Sequence, residues 1–193
     1  IQIKNILMAM LAAEKSGLKF EKIIKIINKI KPVTGRLQEV GIIKNKSKVI
    51  LDYAHTPEAL RASLQSIKEQ FKDKKISIVF GCGGNRDKSK RSTMGKIANY
   101  YCDKIYLTDD NPRYEDPEKI RLTIKKQINK LNFYEVADRS KAIQKAILDL
   151  NIGDILIVAG KGHENIQDYG KIKKLFSDKK EILNSIKKKN KNL

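Results

Sequence analysis

Cysteine and long apolar runs are scarce in this sequence of 193 residues. The two cysteines, Cys82 and Cys102, provide neither a disulfide framework nor a Cys-X-X-Cys pair for a metal, and we expect both to be reduced thiols. The longest apolar run, at residues 6–13, is far too short to cross a bilayer, and no basic segment with a cleavage site precedes it. The sequence therefore predicts a globular protein of the cytoplasm that contacts no membrane.

Acidic residues are outnumbered, since 41 Lys and Arg stand against 22 Asp and Glu, which gives a formal net charge of +19. The positive charge is spread along every segment, and no RNP, zinc-finger or helix-turn-helix pattern accompanies it. We interpret it as a solvated basic surface that attracts small anions, and we expect no nucleic acid partner. A nonenzymatic nucleic-acid-binding domain is the alternative that this charge favours.

A phosphate-binding loop is also missing, because no Gly-X4-Gly-Lys-Ser/Thr sequence occurs. If the protein uses a nucleoside triphosphate, the main cradle for its phosphates lies outside this chain. The chain opens inside a helical pattern at Ile1, with no methionine. We therefore expect it to be a piece of a longer protein.

The order of the predicted elements indicates an α/β fold. Two helical patterns, at residues 3–16 and 18–30, are followed by a break at Pro32 and Gly35, where we place a domain boundary. Beyond it, short strands alternate with helices of about ten to fifteen residues, which is typical of βαβ units in a parallel sheet. The strands "ISIVF" and "DILIVA" are apolar almost throughout, as expected where helices cover both faces of a sheet.

Capping residues predict where three of the helices begin. Thr56 and Asp116 each stand before a proline, which pairs an N-cap with a residue suited to the first helical position. Asp178, with Glu181 three residues on, predicts the start of the last helix as its N-cap.

Polar or glycine-rich segments follow four of the predicted strands. Ligands of an open parallel sheet bind beyond the carboxyl ends of its strands, so we expect these segments to converge on one site. They contain both histidines of the chain, His55 and His163. The segments are "DYAHTPEA" at 52–59, "GCGGNRDKSKR" at 81–91, "DDNPRYEDP" at 109–117 and "GKGHENIQ" at 160–167.

The mixture of charges in these segments indicates the kind of ligand. Arg86 and Arg113 can each hold a carboxylate through two parallel hydrogen bonds, whereas Asp110 and Glu164 can accept from an ammonium group. Asn111 can donate or accept. A zwitterionic amino acid needs this combination, while a phosphate needs no acids. Each motif also has a purely structural interpretation, as turn glycines or helix starts, but their coincidence at four strand ends favours a binding site.

The same segments resemble the successive signatures of the Mur ligases of peptidoglycan synthesis, in the branch that adds the third amino acid. The opening "IQIKNILMAMLAA" resembles the end of that family's central ATPase domain. The resemblance implies a Rossmann-like, mostly parallel α/β domain at residues 35–193, preceded at 1–34 by two helices from the end of the central domain. The matching segments are "GRLQEV", "LDYAHTPEAL", "FGCGGNRDKSKRSTMG", "TDDNPRYEDP" and "AGKGHENIQ", in the family's order over residues 35–167.

The resemblance also implies roles for individual residues. Two positions depart from the family, since Gln2 stands where an asparagine is usual and Asn85 where an acidic residue is more frequent. No catalytic residue and no metal ligand is expected in this piece. The implied amino-acid pocket consists of Arg86, Asp110, Asn111, Pro112, Arg113, Gly160 and Glu164, and the implied nucleotide-closing residues are Asn5, Arg36, Asp52 and His55.

By resemblance, the activity is ATP-dependent amide formation. The terminal carboxylate of UDP-N-acetylmuramoyl-L-alanyl-D-glutamate is phosphorylated, and the amine of meso-diaminopimelate attacks the acyl phosphate. ATP and Mg²⁺ would be held mainly by the missing central domain, so the piece alone is expected to be inactive, and we expect a monomer. Arg113 favours meso-diaminopimelate because its distal carboxylate needs a cation, and lysine-adding members lack this arginine. A lysine-adding enzyme and folylpolyglutamate synthase are the alternatives within the superfamily.

Overall fold

The computed structural model describes residues 2–30 and 33–193 and divides the chain into two compact units, Ile1–Val33 and Thr34–Leu193. The helices of the described part are α1 (Gln2–Lys15), α2 (Phe20–Ile27), α3 (Pro57–Gln70), α4 (Lys90–Tyr101), α5 (Pro117–Lys125), α6 (Arg139–Leu148) and α7 (Asp178–Lys191). Its strands are β1 (Gln38–Ile42), β2 (Lys48–Asp52), β3 (Ile76–Phe80), β4 (Lys104–Leu107), β5 (Phe133–Glu135), β6 (Ile155–Ala159), β7 (Ile166–Asp168) and β8 (Lys173–Leu175).

The first unit contains the two helices α1 and α2. Both were expected, although α2 is shorter than its apolar pattern predicts. Asn5 lies on α1 with an exposed side chain, and Leu7, Leu11 and Phe20 are also exposed. Pro32, at the predicted break, lies outside the described residues. That these helices end a central ATPase domain stays a prediction.

The second unit is built on a six-stranded sheet with the order β1-β2-β6-β3-β4-β5. Strand β1 pairs with β2 in antiparallel fashion, and every other neighbouring pair of this sheet is parallel. Strands β7 and β8 form a separate antiparallel hairpin. The predicted α/β class, with a mostly parallel sheet flanked by helices, is confirmed.

Helices cover both faces of the sheet, which explains why its central strands are apolar throughout. Every residue of β3 and β6 is buried. Side chains of one strand alternate between two cores, so that Ile78 packs with α3, α4 and α5 while its neighbour Val79 packs with α6 and α7. The two continuous runs in the sequence therefore have the double-sided burial expected of them.

Two of the predicted helix starts are confirmed and the third is wrong. The side chains of Thr56 and Asp116 accept hydrogen bonds from the backbone amides two or three residues on, at 3.3 and 2.9 Å. Asp178, by contrast, is the first residue inside α7, and Ser177 is the cap, without a side-chain bond. The reason is tertiary, because the buried Asp178 carboxylate pairs with Arg139 instead of a local amide.

A buried lysine on α7 donates hydrogen bonds to the carboxyl end of α6. The ammonium group of Lys189, on α7, donates to the carbonyl oxygens of Ile147 and Leu148 at 3.0 and 2.9 Å, at the end of α6. The last carbonyls of a helix lack the amides of a following turn, and Lys189 supplies a charged donor to them. The Ile147 carbonyl also accepts from the Leu150 amide at 3.3 Å. Burial lowers the pKa of Lys189 below its ordinary value.

Two smaller expectations concern the cysteines and the membrane. Cys82 and Cys102 are both free and buried, as expected of reduced thiols. Burial raises the pKa of Cys82 to about 12, so its thiol stays protonated at neutral pH. Among the helices of the described ranges, none is long and apolar enough to cross a membrane.

Candidate amino-acid site

The loops that follow β2, β3, β4 and β6 surround one cavity of about 660 Å³ at the carboxyl edge of the sheet. Each of the four loops contributes at least one predicted site residue to its lining. These residues are His55 after β2, Arg86 after β3, Asp110, Asn111 and Arg113 after β4, and Gly160 and Glu164 after β6.

Two glycines allow the loops after β3 and β4 to pack backbone against backbone. A side-chain carbon on Gly81 would lie 2.1 Å from the carbonyl oxygen of Thr108, and one on Gly84 would lie 1.9 Å from that of Pro112. The amide of Gly84 also donates to the Asn111 carbonyl at 2.9 Å. Only glycine permits this approach, which brings the loop of Arg86 against the loop of Arg113.

Lys161 holds two polar residues of the cavity lining, Asn111 and Glu164, in place. Its side chain is fully buried, and its ammonium group donates to Asn111 Oδ1 at 2.8 Å, to Glu164 Oε2 at 2.9 Å and to the Ile166 carbonyl at 2.7 Å. Because Oδ1 of Asn111 accepts, its amide nitrogen faces Glu164, to which it donates at 2.9 Å. One cation thereby orients two cavity residues.

The Glu164 carboxylate is ionised at neutral pH. Burial opposes its ionisation, but hydrogen bonds from Lys161 and Asn111 and the charge of Arg113 hold the pKa of Glu164 below its ordinary value. Its side chain is about one third exposed, so a ligand in the cavity can reach it.

Arg113 adopts a left-handed backbone conformation with φ of 51°, which is uncommon for a residue of this size. Its amide donates to the Asp168 carbonyl at 2.9 Å, and its guanidinium donates to the Gly84 carbonyl at 2.8 Å. The Nε atom lies 3.9 Å from the Asp168 carboxylate. Strained residues held by their surroundings are concentrated at functional sites, and this one points a partly exposed cation into the cavity.

Asp110 lines the cavity and lies against Gly160. The φ of Gly160 is 110°, and a side-chain carbon there would lie 2.7 Å from Asp110 Oδ2. That oxygen is sealed from solvent and has no hydrogen-bond donor. Burial raises the pKa of Asp110, against the lowering effect of the charges of Arg139 and Lys161.

Arg86 is the exposed cation of the cavity. Within the part of the chain that the structure describes, no hydrogen-bond or ion-pair partner is found for its guanidinium. The preceding Asn85 has φ of 51°, a conformation that asparagine tolerates well, and its side-chain oxygen accepts from the Tyr114 amide at 3.0 Å. Asn85 therefore shapes the turn that presents Arg86.

Three of the residues predicted to close a nucleotide site, Arg36, Asp52 and His55, contact Tyr53. The Arg36 guanidinium lies 4.5 Å from the Tyr53 ring centre, and the His55 ring lies 4.6 Å from it. Nδ1 of His55 is 2.8 Å from the Tyr53 carbonyl, which can only accept, so Nδ1 carries a proton and Nε2 of the neutral ring is an acceptor. The buried Asp52 carboxylate accepts from the amides of Tyr53 and Leu37, at 2.9 and 3.2 Å, and from a serine hydroxyl.

Some predicted residues lie apart from the cavity lining. Arg36 and Asp52 contact Tyr53 but do not line the cavity, and Pro112 approaches Gly84 through its carbonyl group. Asn5 belongs to the first unit. No group of three or more His, Cys, Asp or Glu side chains that could hold a metal occurs in residues 2–30 and 33–193.

The sequence interpretation missed several residues in and around the site, among them Tyr53, Lys90, Lys161 and Arg139. Tyr53 and Lys90 line the cavity, and the Lys90 ammonium group donates to the His55 carbonyl at 2.8 Å. Both stand inside the motifs already singled out, as does Lys161, whose two glycine neighbours could have marked it. Arg139 had no such signal, because it resembles any residue in the first turn of a helix.

The fold and the motifs define a known class. Residues 35–162 match the family model described as Mur ligase, glutamate ligase domain, and the chain belongs to this family. The predicted family is thereby confirmed.

Relatives named as diaminopimelate ligases are similar over nearly the whole chain. The UDP-N-acetylmuramoyl-L-alanyl-D-glutamate--2,6-diaminopimelate ligase of Rickettsia felis is 46% identical over 178 residues, which cover 92% of this chain and 33% of the relative. A solved structure of a ligase with the same name has a TM-score of 0.74 at 35% identity and covers 97% of this chain and 38% of its own. This chain therefore spans about a third of the length of the curated relatives it matches.

The superfamily alternative is also represented among solved structures. Folylpolyglutamate synthase from Thermotoga maritima has a TM-score of 0.61 at 25% identity, covering 82% of this chain and 35% of its own. Its identity is lower than that of the relatives named as diaminopimelate ligases.

Proposed function

We propose that this chain is the amino-acid-binding part of an ATP-dependent ligase that joins meso-diaminopimelate to UDP-N-acetylmuramoyl-L-alanyl-D-glutamate. The cavity carries this proposal, because Arg86, Arg113 and the carboxylates of Asp110 and Glu164, from three loops, line one space of about 660 Å³. The names of the similar ligases described above support it. The proposal includes a monomer in the cytoplasm, with no nucleic acid or membrane partner.

The choice of amino acid rests on Arg113. Meso-diaminopimelate differs from lysine by a carboxylate at the far end of its side chain, and Arg113 is the cation that would bind it. Asp110 and Glu164 would then accept from the ammonium groups, and Arg86 would hold the other carboxylate. With lysine in the cavity, the partly buried Arg113 guanidinium would lack the ligand carboxylate and would keep only the Asp168 carboxylate, 3.9 Å from its Nε.

The remaining pocket residues act through the backbone and through orientation. Asn111 keeps Glu164 in place, while Pro112 and Gly160 let the loops approach closely enough to position Arg113 and Asp110. Holding the amine in one orientation removes much of the entropy cost of its attack on an activated carboxylate.

The nucleotide would be bound between this chain and the rest of the protein. ATP supplies the phosphoryl group that activates the acceptor carboxylate, and its phosphates and Mg²⁺ would be held mainly outside this chain. Arg36 and His55 offer a cation and an acceptor nitrogen beside Tyr53, which suits a nucleoside. Asp52 would act by fixing the backbone of Tyr53. Asn5, on α1 of the first unit, would be a further residue of the nucleotide site.

The test of this proposal is an amino-acid competition assay on the full-length protein, with meso-diaminopimelate, lysine and glutamate as competitors. We expect the wild type to select meso-diaminopimelate. The variant Arg113→Ala should lose about 2 kcal/mol of this preference, or roughly thirtyfold, because the distal carboxylate loses its charged partner.

Arg61→Ala provides the matched control, since Arg61 is exposed on α3 and does not line the cavity. A wild type that prefers lysine or glutamate would contradict the proposal, and so would an Arg113→Ala variant with unchanged selectivity. Salt-sensitive binding of duplex DNA without amino-acid binding would favour the nucleic-acid alternative.

A further inference from the structure

Arg139, at the start of α6, is completely buried although it carries a full positive charge. Its Nε and one terminal nitrogen, NH2, each donate to the Asp178 carboxylate at 2.8 Å, and NH2 also donates to the Ala159 carbonyl at 2.9 Å. The other terminal nitrogen, NH1, has no hydrogen-bond partner. The salt bridge to Asp178 therefore leaves one edge of the guanidinium unused.

A second buried charge without a partner faces this unused edge. Oδ2 of Asp110 lies 3.9 Å from Arg139 NH1, and it also lacks a hydrogen bond. Isolated buried charges are costly, so an arginine and a carboxylate left in this relation are stabilised chiefly by each other's charge. Arg139 thus forms two hydrogen bonds with Asp178, whereas it interacts with Asp110 only through its charge.

The Asp110 side chain connects this buried charge to the cavity. Oδ2 is sealed from solvent on the Arg139 side, while the 11% of the side chain that is exposed belongs to a residue of the cavity lining. With both carboxylates ionised, the group of Arg139, Asp110 and Asp178 carries one positive and two negative charges. Because Asp178 accepts two hydrogen bonds from Arg139, the surplus negative charge then lies at Asp110, next to the cavity.

We infer that Arg139 is a positioning residue of the amino-acid pocket, which keeps the Asp110 carboxylate negative and available to an ammonium group of the ligand. The inference rests on the proposed function, because it takes the ligand to be a zwitterionic amino acid. Arg139 itself does not line the cavity and would touch no substrate.

The charges around Asp110 show why this carboxylate needs a buried cation. Burial raises its pKa, the charges of Arg139 and Lys161 lower it, and the charges of Glu164 and Asp178 raise it further. Without Arg139, Asp110 would take up a proton at a higher pH than in the wild type. A protonated carboxyl group would no longer attract an ammonium group. As the pH falls, the variant would therefore lose ligand binding at a higher pH than the wild type.

A neighbouring ion pair provides a matched control. Arg121, on α5, pairs with Asp109, the residue before Asp110, and with Glu135. Neither Arg121 nor Asp109 lines the cavity. Replacing Arg121 removes a largely buried arginine from the same sheet edge without touching Asp110.

The experiment compares the wild-type chain with Arg139→Gln and Arg121→Gln. The pKa of Asp110 is measured by ¹³C NMR of its carboxyl carbon in the ligand-free chain, and meso-diaminopimelate binding is measured by calorimetry over a pH series. We expect Arg139→Gln to raise the Asp110 pKa, to move the acid limb of binding to higher pH and to weaken binding at neutral pH about tenfold, the loss of one charge-assisted contact. Arg121→Gln should leave both measurements unchanged.

Two further variants keep the test decisive if Arg139→Gln does not fold. The double variant Arg139→Gln with Asp178→Asn removes one buried charge of each sign and should still raise the Asp110 pKa. Asp178→Asn alone breaks the same salt bridge but keeps the cation, so it should lower the Asp110 pKa. A purely structural role of Arg139 would make these two variants change in the same direction.

The outcomes separate this inference from the proposed function. If loss of Arg139 changes neither the Asp110 pKa nor the pH profile of binding, the inference is wrong. Binding of meso-diaminopimelate by the wild type would still support the proposed function in that case. A wild type that does not bind meso-diaminopimelate would overturn both the function and the ligand assigned to Asp110. Restoration of the pKa by Arg139→Lys, which retains the charge, supports the inference.

Discussion

At the scale of single residues, buried cations set the geometry of the candidate site. Lys161 and Arg139 are each fully buried and each contact carboxylates near the cavity. Their contacts are long-range or cross a turn, so their positions depend on loops from several strands meeting. The charges that would contact a ligand, Arg86 and Arg113, are more exposed than these supports.

Lys161→Met tests how far one buried cation determines the charge of its neighbour. The variant should raise the pKa of Glu164, because hydrogen bonding to Lys161 is the foremost cause that lowers it. It should also cost about 2 kcal/mol or more of unfolding free energy at pH 7, since a charged partner of Glu164 and Asn111 is lost. Urea unfolding and ¹³C titration of Glu164 provide the two measurements.

The pH dependence has a definite sign. The folded pKa of Glu164 is below its ordinary value of 4.5, so the stability from its ionised form is present above that value and lost as pH falls through the folded pKa. The deficit of Lys161→Met relative to wild type should therefore shrink at low pH. Lys171→Met, at an exposed lysine, is the control, and a deficit independent of pH would contradict this account.

At the scale of elements, some helix ends are stabilised by local caps and others by contacts with distant residues. The starts of α5 and α6 are capped by the carboxylates of Asp116 and Asp138, which accept from backbone amides at 2.9 and 3.0 Å. The start of α7 has no side-chain cap and is joined to the start of α6 by Arg139 and Asp178. The end of α6 is completed by Lys189 from α7.

Asp116→Ala and Asp138→Ala should each reduce the unfolding free energy by about 1 kcal/mol, because each removes the acceptor of an otherwise unpaired helix amide. Ser177→Ala is the matched control, since its side chain makes no capping bond. Chemical denaturation at pH 7 measures all three. Equal losses at the three positions would show that the difference between capped and uncapped helix starts is not energetically relevant.

At the scale of the whole molecule, the chain has a cavity lined by charged residues but no phosphate-binding loop. Residues of the four loops at the carboxyl edge of the sheet line this cavity. No Gly-X4-Gly-Lys-Ser/Thr sequence occurs in the chain. Relatives are about three times as long as the stretch they share with this chain. Binding and catalysis are therefore expected to be separable.

The chain of residues 1–193 alone should bind meso-diaminopimelate but form no amide product from ATP, because activation of the acceptor carboxylate needs the missing phosphate cradle. The measurement is product formation with UDP-N-acetylmuramoyl-L-alanyl-D-glutamate, ATP and Mg²⁺, with the full-length protein as positive control. Product formation by residues 1–193 would show that a complete nucleotide site lies within this chain, contrary to the proposal.

Much of the fold could be predicted because the determining signals are local. The continuous apolar run of β3 and the spacing of Leu60, Leu64 and Ile67 on α3 follow from burial on a strand or a helix face. The proline after Asp116 marks a helix start without any tertiary contact. Strand order is different, since nothing local in β6 states that it lies between β2 and β3.

The sequence by itself determined the α/β class, the four loop motifs and the charged residue types of the pocket, because these depend on periodicity and on side-chain chemistry. Only the tertiary structure decided which side chains face the cavity and which support it. Asp178 has the sequence of a helix cap, yet it is a buried partner of Arg139, since a guanidinium from another helix competes better for its carboxylate than a local amide. Contacts between residues 39 positions apart leave no pattern in a local stretch of sequence, so Arg139 emerges only once the chain is folded.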